Sequence, residues 1–293
     1  MSSGTPQVTL TPLETIALAD ETTHARVVIA PGRGGMVTRF DVGEPARPVM
    51  FMDAATLADR NKNVRGGNPV LFPSPGPLAG DTFTRHGRSG SMKQHGFARQ
   101  RSWTVVAYTS RDATLELVSN DETRAQYPWD FSATLRYALE ATPQRVALTI
   151  QTRIENRSDA PLPFALGFHP YFYVPDADKK VARIQTDAKR AWDNFGKQAV
   201  DLHGPIDLTV KEVDLHLIGH TPHSATLERG ADRIVVSADP EFARWVIWTQ
   251  AGKDFVCLEP WTAPADALNT GEGLTELAPG ASKTLNVTIA VER

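Results

Sequence analysis

The sequence predicts an all-β protein, a large antiparallel β-sandwich, and three observations support that prediction. Short runs that alternate apolar with polar or small residues recur along the chain, each of strand length. Turn sequences rich in Gly, Pro, Asn and Asp separate these runs. Long segments with the 3.6-residue period of an amphipathic helix are missing, and the best helix candidate, residues 53–61, is short.

The predicted strands follow one another from the middle of the chain to its end. They comprise residues 104–108 (TVVAY), 113–119 (ATLELVS), 131–140 (FSATLRYALE), 145–153 (RVALTIQTR), 232–238 (DRIVVSA), 244–249 (RWVIWT), 255–258 (FVCL) and 283–291 (KTLNVTIAV). In the fourth run Val146, Leu148 and Ile150 share one face, because successive strand side chains point to opposite sides. A Pro-Gly turn at residues 279–280 precedes the last run.

Residues 68–80 (NPVLFPSPGPLAG) resemble a linker, because the stretch is rich in proline and glycine. Apolar Val70, Leu71, Phe72 and Leu78 are interleaved through it, which favours an ordered loop packed on the sheet over a flexible domain boundary. No internal repeat or low-complexity tail suggests a division of the chain. We therefore predict a single domain over residues 1–293, with its core at about 25–291.

Composition and charge exclude several classes of protein. The 293 residues carry 31 Lys and Arg against 34 Asp and Glu, a net charge of −3, so the charge balance gives no general attraction to nucleic acid. No stretch approaches the roughly 20 apolar residues that cross a bilayer, and the first residues lack the basic start and apolar run of a signal peptide. The single cysteine, Cys257, leaves no internal disulfide and no cysteine-based zinc site, so a reduced, cytoplasmic location is expected.

Three segments place ionisable side chains beside aromatic residues and prolines, at points where predicted strands end. They are residues 94–99 (QHGFAR), 167–172 (GFHPYF) and 257–261 (CLEPW). Taken singly, His95 and His169 fit structural histidines, and Glu259 fits a buried ion pair. Together they are what acid–base chemistry on a polyol requires, because a carboxylate accepts a proton, a histidine donates one and aromatic faces pack on the sugar ring.

These segments resemble motifs of the aldose 1-epimerases, or galactose mutarotases, and of the related hexose-6-phosphate mutarotases. Two further stretches, residues 65–73 (RGGNPVLFP) and 258–269 (LEPWTAPADALN), fit the same families, and all the motifs occur in family order. The resemblance extends over about residues 25–290. It implies a galactose mutarotase-like supersandwich with a sugar cleft on one face, and a ring-opening reaction that needs no cofactor.

The resemblance also implies catalytic roles. Glu259 takes the family's position for the general base, His169 for the general acid, and His95 for a histidine that assists at the ring oxygen or a hydroxyl. In the implied reaction Glu259 removes the proton of the anomeric hydroxyl, and His169, as an imidazolium, protonates the ring oxygen. The hemiacetal opens to the aldehyde, the C1–C2 bond rotates, and the ring closes on the other face.

Further residues are expected to hold the sugar. Arg65 matches the arginine of the family's RGG-type motif. Asp214 is the best match for its sugar-binding aspartate, with Asp193 as a rival. The predicted binding set is completed by three residues within or beside the motifs, Gln94, Arg99 and Trp261.

The substrate expected first is a free aldohexose or related sugar, and two alternatives stay open. A hexose 6-phosphate is the alternative substrate, because residues 81–101 carry five basic residues against the single acid Asp81: Arg85, Arg88, Lys93, Arg99 and Arg101. That segment fits either a solvated basic surface or a phosphate clamp completed by Arg65. Residues 71–76 (LFPSPG) depart from the tryptophan-rich stretch of the phosphosugar branch. A non-catalytic carbohydrate-binding protein is the alternative from another class.

A metal site is suggested by the spacing of three histidines, His216, His220 and His223. Intervening glycine and proline residues, however, interrupt any regular helix that would present them together. We therefore predict no metal and no cofactor. The expected partner is a small-molecule sugar, without nucleic acid or membrane, for a monomer or homodimer.

Overall fold

The computed structural model of the chain describes residues 7–10 and 13–292. Its strands, in chain order, are β1 (Gln7–Leu10), β2 (Leu13–Asp20), β3 (Ala25–Ala30), β4 (Met36–Val42), β5 (Arg47–Pro48), β6 (Val70–Leu71), β7 (Thr82–Arg85), β8 (Arg88–Ser91), β9 (Thr104–Tyr108), β10 (Asp112–Val118), β11 (Phe131–Thr142), β12 (Arg145–Asn156), β13 (Leu162–Phe164), β14 (Gly167–Phe168), β15 (Tyr171–Tyr173), β16 (Arg183–Gln185), β17 (Arg190–Asp193), β18 (Gln198–Asp201), β19 (Glu212–Ile218), β20 (Ser224–Arg229), β21 (Asp232–Ala238), β22 (Arg244–Gln250), β23 (Phe255–Trp261), β24 (Thr275–Leu277) and β25 (Ser282–Glu292).

Helices are few and short in the described residues. The α-helices are α1 (Ala54–Ala58), α2 (Asp121–Arg124) and α3 (Ala267–Thr270). Single 3₁₀ turns lie at Pro31–Arg33, Ala79–Asp81, Ala98–Gln100 and Asp176–Asp178. Among residues 7–10 and 13–292, no helix has the length and apolar character needed to cross a membrane.

Two eight-stranded antiparallel sheets form the body of the fold. The back sheet has the order β16-β20-β21-β25-β12-β11-β10-β9. The cleft sheet has the order β18-β17-β19-β22-β23-β14-β6, with β15 also paired to β23. Strands β1 to β5 form a third sheet, and β13 with β24 and β7 with β8 form two-stranded pairs. The predicted all-β antiparallel architecture is confirmed.

The hydrophobic core includes residues from both large sheets. The predicted inward face of β12 is buried, including Leu148 and Ile150. On the cleft sheet, Val256 and Leu258 of β23 belong to the same core cluster. Because successive side chains of a strand alternate, the odd-numbered residues of β23 point to the opposite face. This alternation directs Glu259 away from the core and onto the cleft face of the sheet.

The proline- and glycine-rich stretch at residues 68–80 is packed on the sheets, as its interleaved apolar residues predict. Val70, Leu71, Phe72 and Leu78 are all buried. The ring of Phe72 contacts four other aromatic rings, those of Phe97, Tyr127, Phe131 and Phe164. This aromatic cluster anchors the loop, so that the chain enters the cleft region from a fixed position.

The predicted helix at residues 53–61 is shorter in the structure. It covers Ala54–Ala58, and the carboxylate of Asp53 caps its start by accepting two backbone N–H groups at 2.9 and 3.3 Å. After Ala58 the chain continues as a loop, and the buried side chain of Arg33 is bonded to both the helix and this loop. Its Nη2 donates to three backbone carbonyls of residues 56–62 at 3.1, 3.1 and 3.2 Å. The loop then delivers Arg65 to the cleft.

Candidate active site

A cavity of about 250 Å³ opens on the cleft sheet. Side chains of β19, β22 and β23 form its floor, and loops around residues 63–65 and 94–99 contribute to its walls. All eight residues predicted from the motifs line this cavity: Arg65, Gln94, His95, Arg99, His169, Asp214, Glu259 and Trp261. The fold therefore brings together segments that lie far apart in the sequence.

A histidine–carboxylate pair lies at the bottom of the cavity. Nε2 of His169 is 3.3 Å from Oε1 of Glu259, and the two residues are 8% and 1% exposed. The indole Nε1 of Trp261 donates to the other carboxylate oxygen at 3.1 Å. Backbone pairing explains the meeting, because β14, which ends just before His169, is hydrogen-bonded to β23 at Gly167. Glu259 thus lies on β23, and His169 lies in the two-residue link between β14 and β15, both of which pair with β23.

Burial controls the charge of this pair. Burial raises the pKa of Glu259 well above its ordinary value, and the nearby Asp214 carboxylate adds to the effect. Burial lowers the pKa of His169 well below its ordinary value, and the positive charge of Arg99 adds to that shift. Both shifts disfavour the imidazolium expected at His169. The neutral form of the pair differs from the ion pair by transfer of one proton across the 3.3 Å contact.

His95 is held as a neutral imidazole with a defined tautomer. Its Nδ1–H donates to the carbonyl oxygen of Pro75, which leaves Nε2 as a hydrogen-bond acceptor. Burial, with the charge of Arg99, lowers the pKa of His95 to about 4. The residue has a left-handed backbone (φ 74°), and a Cβ added to the following Gly96 would lie 2.2 Å from the Phe72 carbonyl oxygen. The His-Gly sequence therefore makes the tight turn that presents this ring.

Of the two rival aspartates, only Asp214 lines the cavity. Its Oδ2 accepts a hydrogen bond from Nδ2 of Asn194 at 2.8 Å, and its Oδ1 is 3.5 Å from Nε2 of His216. Burial raises its pKa, but the hydrogen bonds from His216 and Asn194 outweigh burial and hold the pKa below its ordinary value. Asp193 instead accepts the backbone N–H groups of residues 195 and 196 in a turn. Asp214 is therefore an ionised hydrogen-bond acceptor on the cavity wall.

Two guanidinium groups line the same cavity. Arg65 lies over the ring of Trp248, with 5.4 Å between its Cζ and the ring centroid, and Arg99 donates to the Gln94 carbonyl at 3.1 Å. The other four basic residues of the segment 81–101 pair with carboxylates: Arg85 with Glu276, Arg88 with Asp159, Lys93 with Asp81, and Arg101 with Glu122. Within the described residues, neither Arg65 nor Arg99 forms an ion pair with a carboxylate. Of the basic residues considered for a phosphate clamp, Arg65 and Arg99 are therefore the two that line the cavity without a carboxylate partner among the described residues.

The family model described as aldose 1-epimerase matches residues 17–290. The chain belongs to the aldose 1-epimerase family. Its own motifs for that family converge in the cavity described above, so the sequence match and the geometry concern the same residues.

Three relatives illustrate the similarity of this aldose 1-epimerase family member to known proteins. It is 24% identical over 251 residues to the protein named "Putative glucose-6-phosphate 1-epimerase" from Cenchrus ciliaris, a match that covers 80% of this chain and 67% of the relative. The crystal structure of the Slr1438 protein from Synechocystis sp. PCC 6803 has a TM-score of 0.90 at 35% identity and covers 100% of this chain and 99% of that chain. A galactose mutarotase-like protein from Lactobacillus casei ATCC 334 shares the fold, with a TM-score of 0.75, 22% identity and coverage of 95% and 100%.

Several residues around the cavity are not among those predicted from the sequence. The ring of Tyr171 stacks on His169 with centroids 4.7 Å apart, and Trp248 meets His169 edge-on at 5.7 Å. Asn194 and His216 line the wall around Asp214. Tyr171 lies within the GFHPYF motif and could have been chosen from it. The others reach the cavity through strand register, which no local sequence signal reveals.

The metal interpretation of the three spaced histidines finds no support in the geometry. His216 faces the cavity, whereas the His220 ring contacts Thr186 Oγ1 and the Ser224 carbonyl at 2.9 and 3.1 Å. Among the described residues, the group with metal-ligand spacing is His169, Cys257 and Glu259. Burial raises the pKa of the Cys257 thiol well above its ordinary value, which disfavours the thiolate that metal ions bind. These donors therefore suit proton transfer better than metal binding.

Proposed function

We propose that this chain interconverts the α and β anomers of an aldohexose by acid–base ring opening and closure. The observation that carries the proposal is the buried contact of 3.3 Å between His169 Nε2 and Glu259 Oε1 at the bottom of the cavity. One acid and one base in a single contact, shielded from water, suit a reaction that removes one proton and adds another. Membership of the aldose 1-epimerase family supports the same reaction class.

The proposed reaction begins from the ion-pair form of the two side chains. Glu259 takes the proton of the anomeric hydroxyl, and the oxygen electrons form the C1 carbonyl as the bond from C1 to the ring oxygen breaks. The electrons of that bond take the proton of His169. The pair emerges as neutral carboxylic acid and neutral imidazole, which is the form that burial favours. After rotation about C1–C2, the reverse transfers close the ring on the other face.

The remaining cavity residues are proposed to orient the sugar. His95 offers Nε2 as an acceptor for a hydroxyl, because its Nδ1–H is engaged by Pro75. The ionised Asp214 accepts from further hydroxyls, and Arg65 and Gln94 supply donors. Trp261 has two tasks in this proposal. Its indole donates to Glu259 and its ring forms part of the cavity wall.

A hexose 6-phosphate is the second candidate substrate, and a specific observation favours it. Arg65 and Arg99 line the cavity, and both lack a carboxylate partner among the described residues. Guanidinium groups match phosphate oxygens in a fork geometry, so two of them in one cavity suit a phosphorylated sugar. The name of the Cenchrus ciliaris relative, "Putative glucose-6-phosphate 1-epimerase", supports the same alternative.

Polarimetry of freshly dissolved α-glucose, α-galactose and glucose 6-phosphate tests the proposed function. Wild-type protein is expected to accelerate the approach to the equilibrium rotation for at least one of them, and Glu259→Gln is expected to lose that acceleration. The preferred sugar separates the two substrate candidates. Folded wild-type protein that binds a sugar but accelerates none would favour the non-catalytic carbohydrate-binding alternative. The free Cys257 fits the proposed cytoplasmic location of such an enzyme.

A further inference from the structure

The floor of the cleft continues beyond the cavity along one row of cross-strand neighbours. Register pairs Glu259 of β23 with Val246 of β22, Val246 with His216 of β19, and His216 with Trp192 of β17. Adjacent strands lie about 4.8 Å apart, so the backbone of Trp192 is about 14 Å from that of Glu259. The row thus leads in a straight line from the catalytic pair to a tryptophan.

The indole of Trp192 lies on the cleft face of the sheet. Asn194, two residues along the chain, lines the cavity. Ala191, the residue directly before Trp192, belongs to the hydrophobic core on the other side of the sheet. Successive residues of a strand point to opposite faces, so Trp192 points away from the core, to the same face as its cross-strand partner His216. The opposite residue on the edge strand β18 is Ala199, whose small side chain leaves the indole uncovered.

Trp192 is exposed in a protein that buries most of its large aromatic side chains. It is 42% exposed, whereas Trp129, Trp245 and Trp261 are between 1% and 3% exposed. Among the residues that the structure describes, no ring contact or hydrogen bond holds its side chain. A flat, uncovered indole beside a sugar cavity has the form of a stacking platform, because the C–H face of a pyranose packs on aromatic rings.

The cavity itself has room for little more than one sugar ring. Its volume of about 250 Å³ lies below the range of roughly 300–1,000 Å³ that is typical of ligand pockets, and its lining includes His216 but not Trp192. The next position on the row, beyond His216, is therefore outside the cavity and open to solvent. A second ring attached to the sugar would therefore lie outside the cavity.

We propose that Trp192 forms an outer subsite for the second ring of a reducing disaccharide, whose reducing-end ring occupies the cavity. This inference rests on the proposed function, because the reducing end must lie at Glu259 and His169. His216 lies between the two positions and offers a ring nitrogen to hydroxyls near the glycosidic bond. The proposed substrates therefore include disaccharides as well as monosaccharides, with the second ring attached on the side of the reducing sugar away from its anomeric carbon.

The test compares sugars that share one reducing-end ring. β-Glucose, β-cellobiose and β-maltose all present glucose at C1, so kcat/KM for anomer conversion and the Kd from calorimetry isolate the second ring. The variants are Trp192→Ala and the conservative Trp192→Phe. Phe195→Ala is the matched control, because Phe195 is an exposed aromatic residue of the same hairpin whose ring is covered by Lys211 Nζ at 5.9 Å.

We expect wild-type protein to prefer a disaccharide over glucose, and Trp192→Ala to raise KM and Kd for that disaccharide about fivefold. Glucose values should stay unchanged, Trp192→Phe should retain most of the preference, and Phe195→Ala should resemble wild type. Equal treatment of glucose and both disaccharides by wild-type protein, or equal effects of Trp192→Ala on all three, would overturn the proposal. If no sugar is converted, the proposed function fails, and the same contrast in Kd still decides the subsite.

Discussion

His95 offers a quantitative test of the electrostatics of the site, because its buried imidazole titrates far from its ordinary range. Burial and the charge of Arg99 lower its pKa from 6.5 to about 4. The difference of about 2.5 corresponds to about 3.4 kcal/mol, at 1.36 kcal/mol for each pKa unit. The unfolded chain takes up this proton below pH 6.5 and the folded protein only below about pH 4. This residue therefore lowers stability as pH falls through that window and has no such effect above it.

The perturbation is His95→Asn, which removes the titrating ring and suits the site in other respects. Asparagine tolerates the left-handed backbone of this position (φ 74°), and its amide retains a donor for the Pro75 carbonyl. A pH-independent loss of packing in the variant changes its free energy of unfolding equally at every pH, so it does not alter the pH dependence of the difference. We expect the free energy of unfolding of the wild type, relative to the variant, to fall by about 3 kcal/mol between about pH 7 and pH 4.

Urea unfolding of both proteins over that pH range, followed by tryptophan fluorescence, measures the effect. His24→Asn is the matched control, because His24 is an exposed histidine that also has a left-handed backbone (φ 51°). It reports what the loss of a solvent-exposed histidine does under the same conditions. A wild-type curve that runs parallel to the His95→Asn curve down to about pH 4 would refute the assignment of a buried, neutral imidazole.

Three other predictions concern single side chains. Trp261→Phe removes the indole donor at 3.1 Å from Glu259 and so raises the pKa of that carboxyl further. We expect kcat/KM in polarimetry to fall about tenfold. An unchanged value would show that this hydrogen bond does not tune the base. Arg99→Met should raise KM for glucose 6-phosphate much more than KM for glucose, and equal changes would speak against a phosphate contact. Arg33→Met deletes three hydrogen bonds to the loop before Arg65 and should lower the urea-derived unfolding free energy by about 2–3 kcal/mol; a negligible loss would contradict the clamp.

The strands were predictable because their signals are local. Alternation along β12 sets its inward face, and the apolar run of β23 marks a strand buried on both sides. The short run at residues 53–61 was overextended as a helix because nothing in its composition reveals the clamp by Arg33. That clamp is a tertiary contact, and two of its three acceptors, the carbonyls of Asp59 and Lys62, follow the end of α1 at Ala58.

The site was predictable only as far as its motifs extend. Glu259, His169 and His95 lie in segments whose residues carry the family pattern, and all three line one cavity. Trp248 and Asn194 were missed because the register of β17, β19 and β22 brings them beside Asp214. Nor could charge counting separate Arg99 from its four basic neighbours, since their carboxylate partners come from distant parts of the chain.

The proposed function requires that the buried pair of Glu259 and His169 opens the sugar ring at C1. Two-dimensional exchange NMR of equilibrated glucose and glucose 6-phosphate measures directly how fast each C1 proton passes between the α and β anomers. We expect rapid exchange with wild-type protein on at least one of these sugars. With Glu259→Gln and with His169→Asn, each checked for a native circular dichroism spectrum, we expect exchange at least about a hundredfold slower. Undiminished exchange with either folded variant would contradict the proposed mechanism.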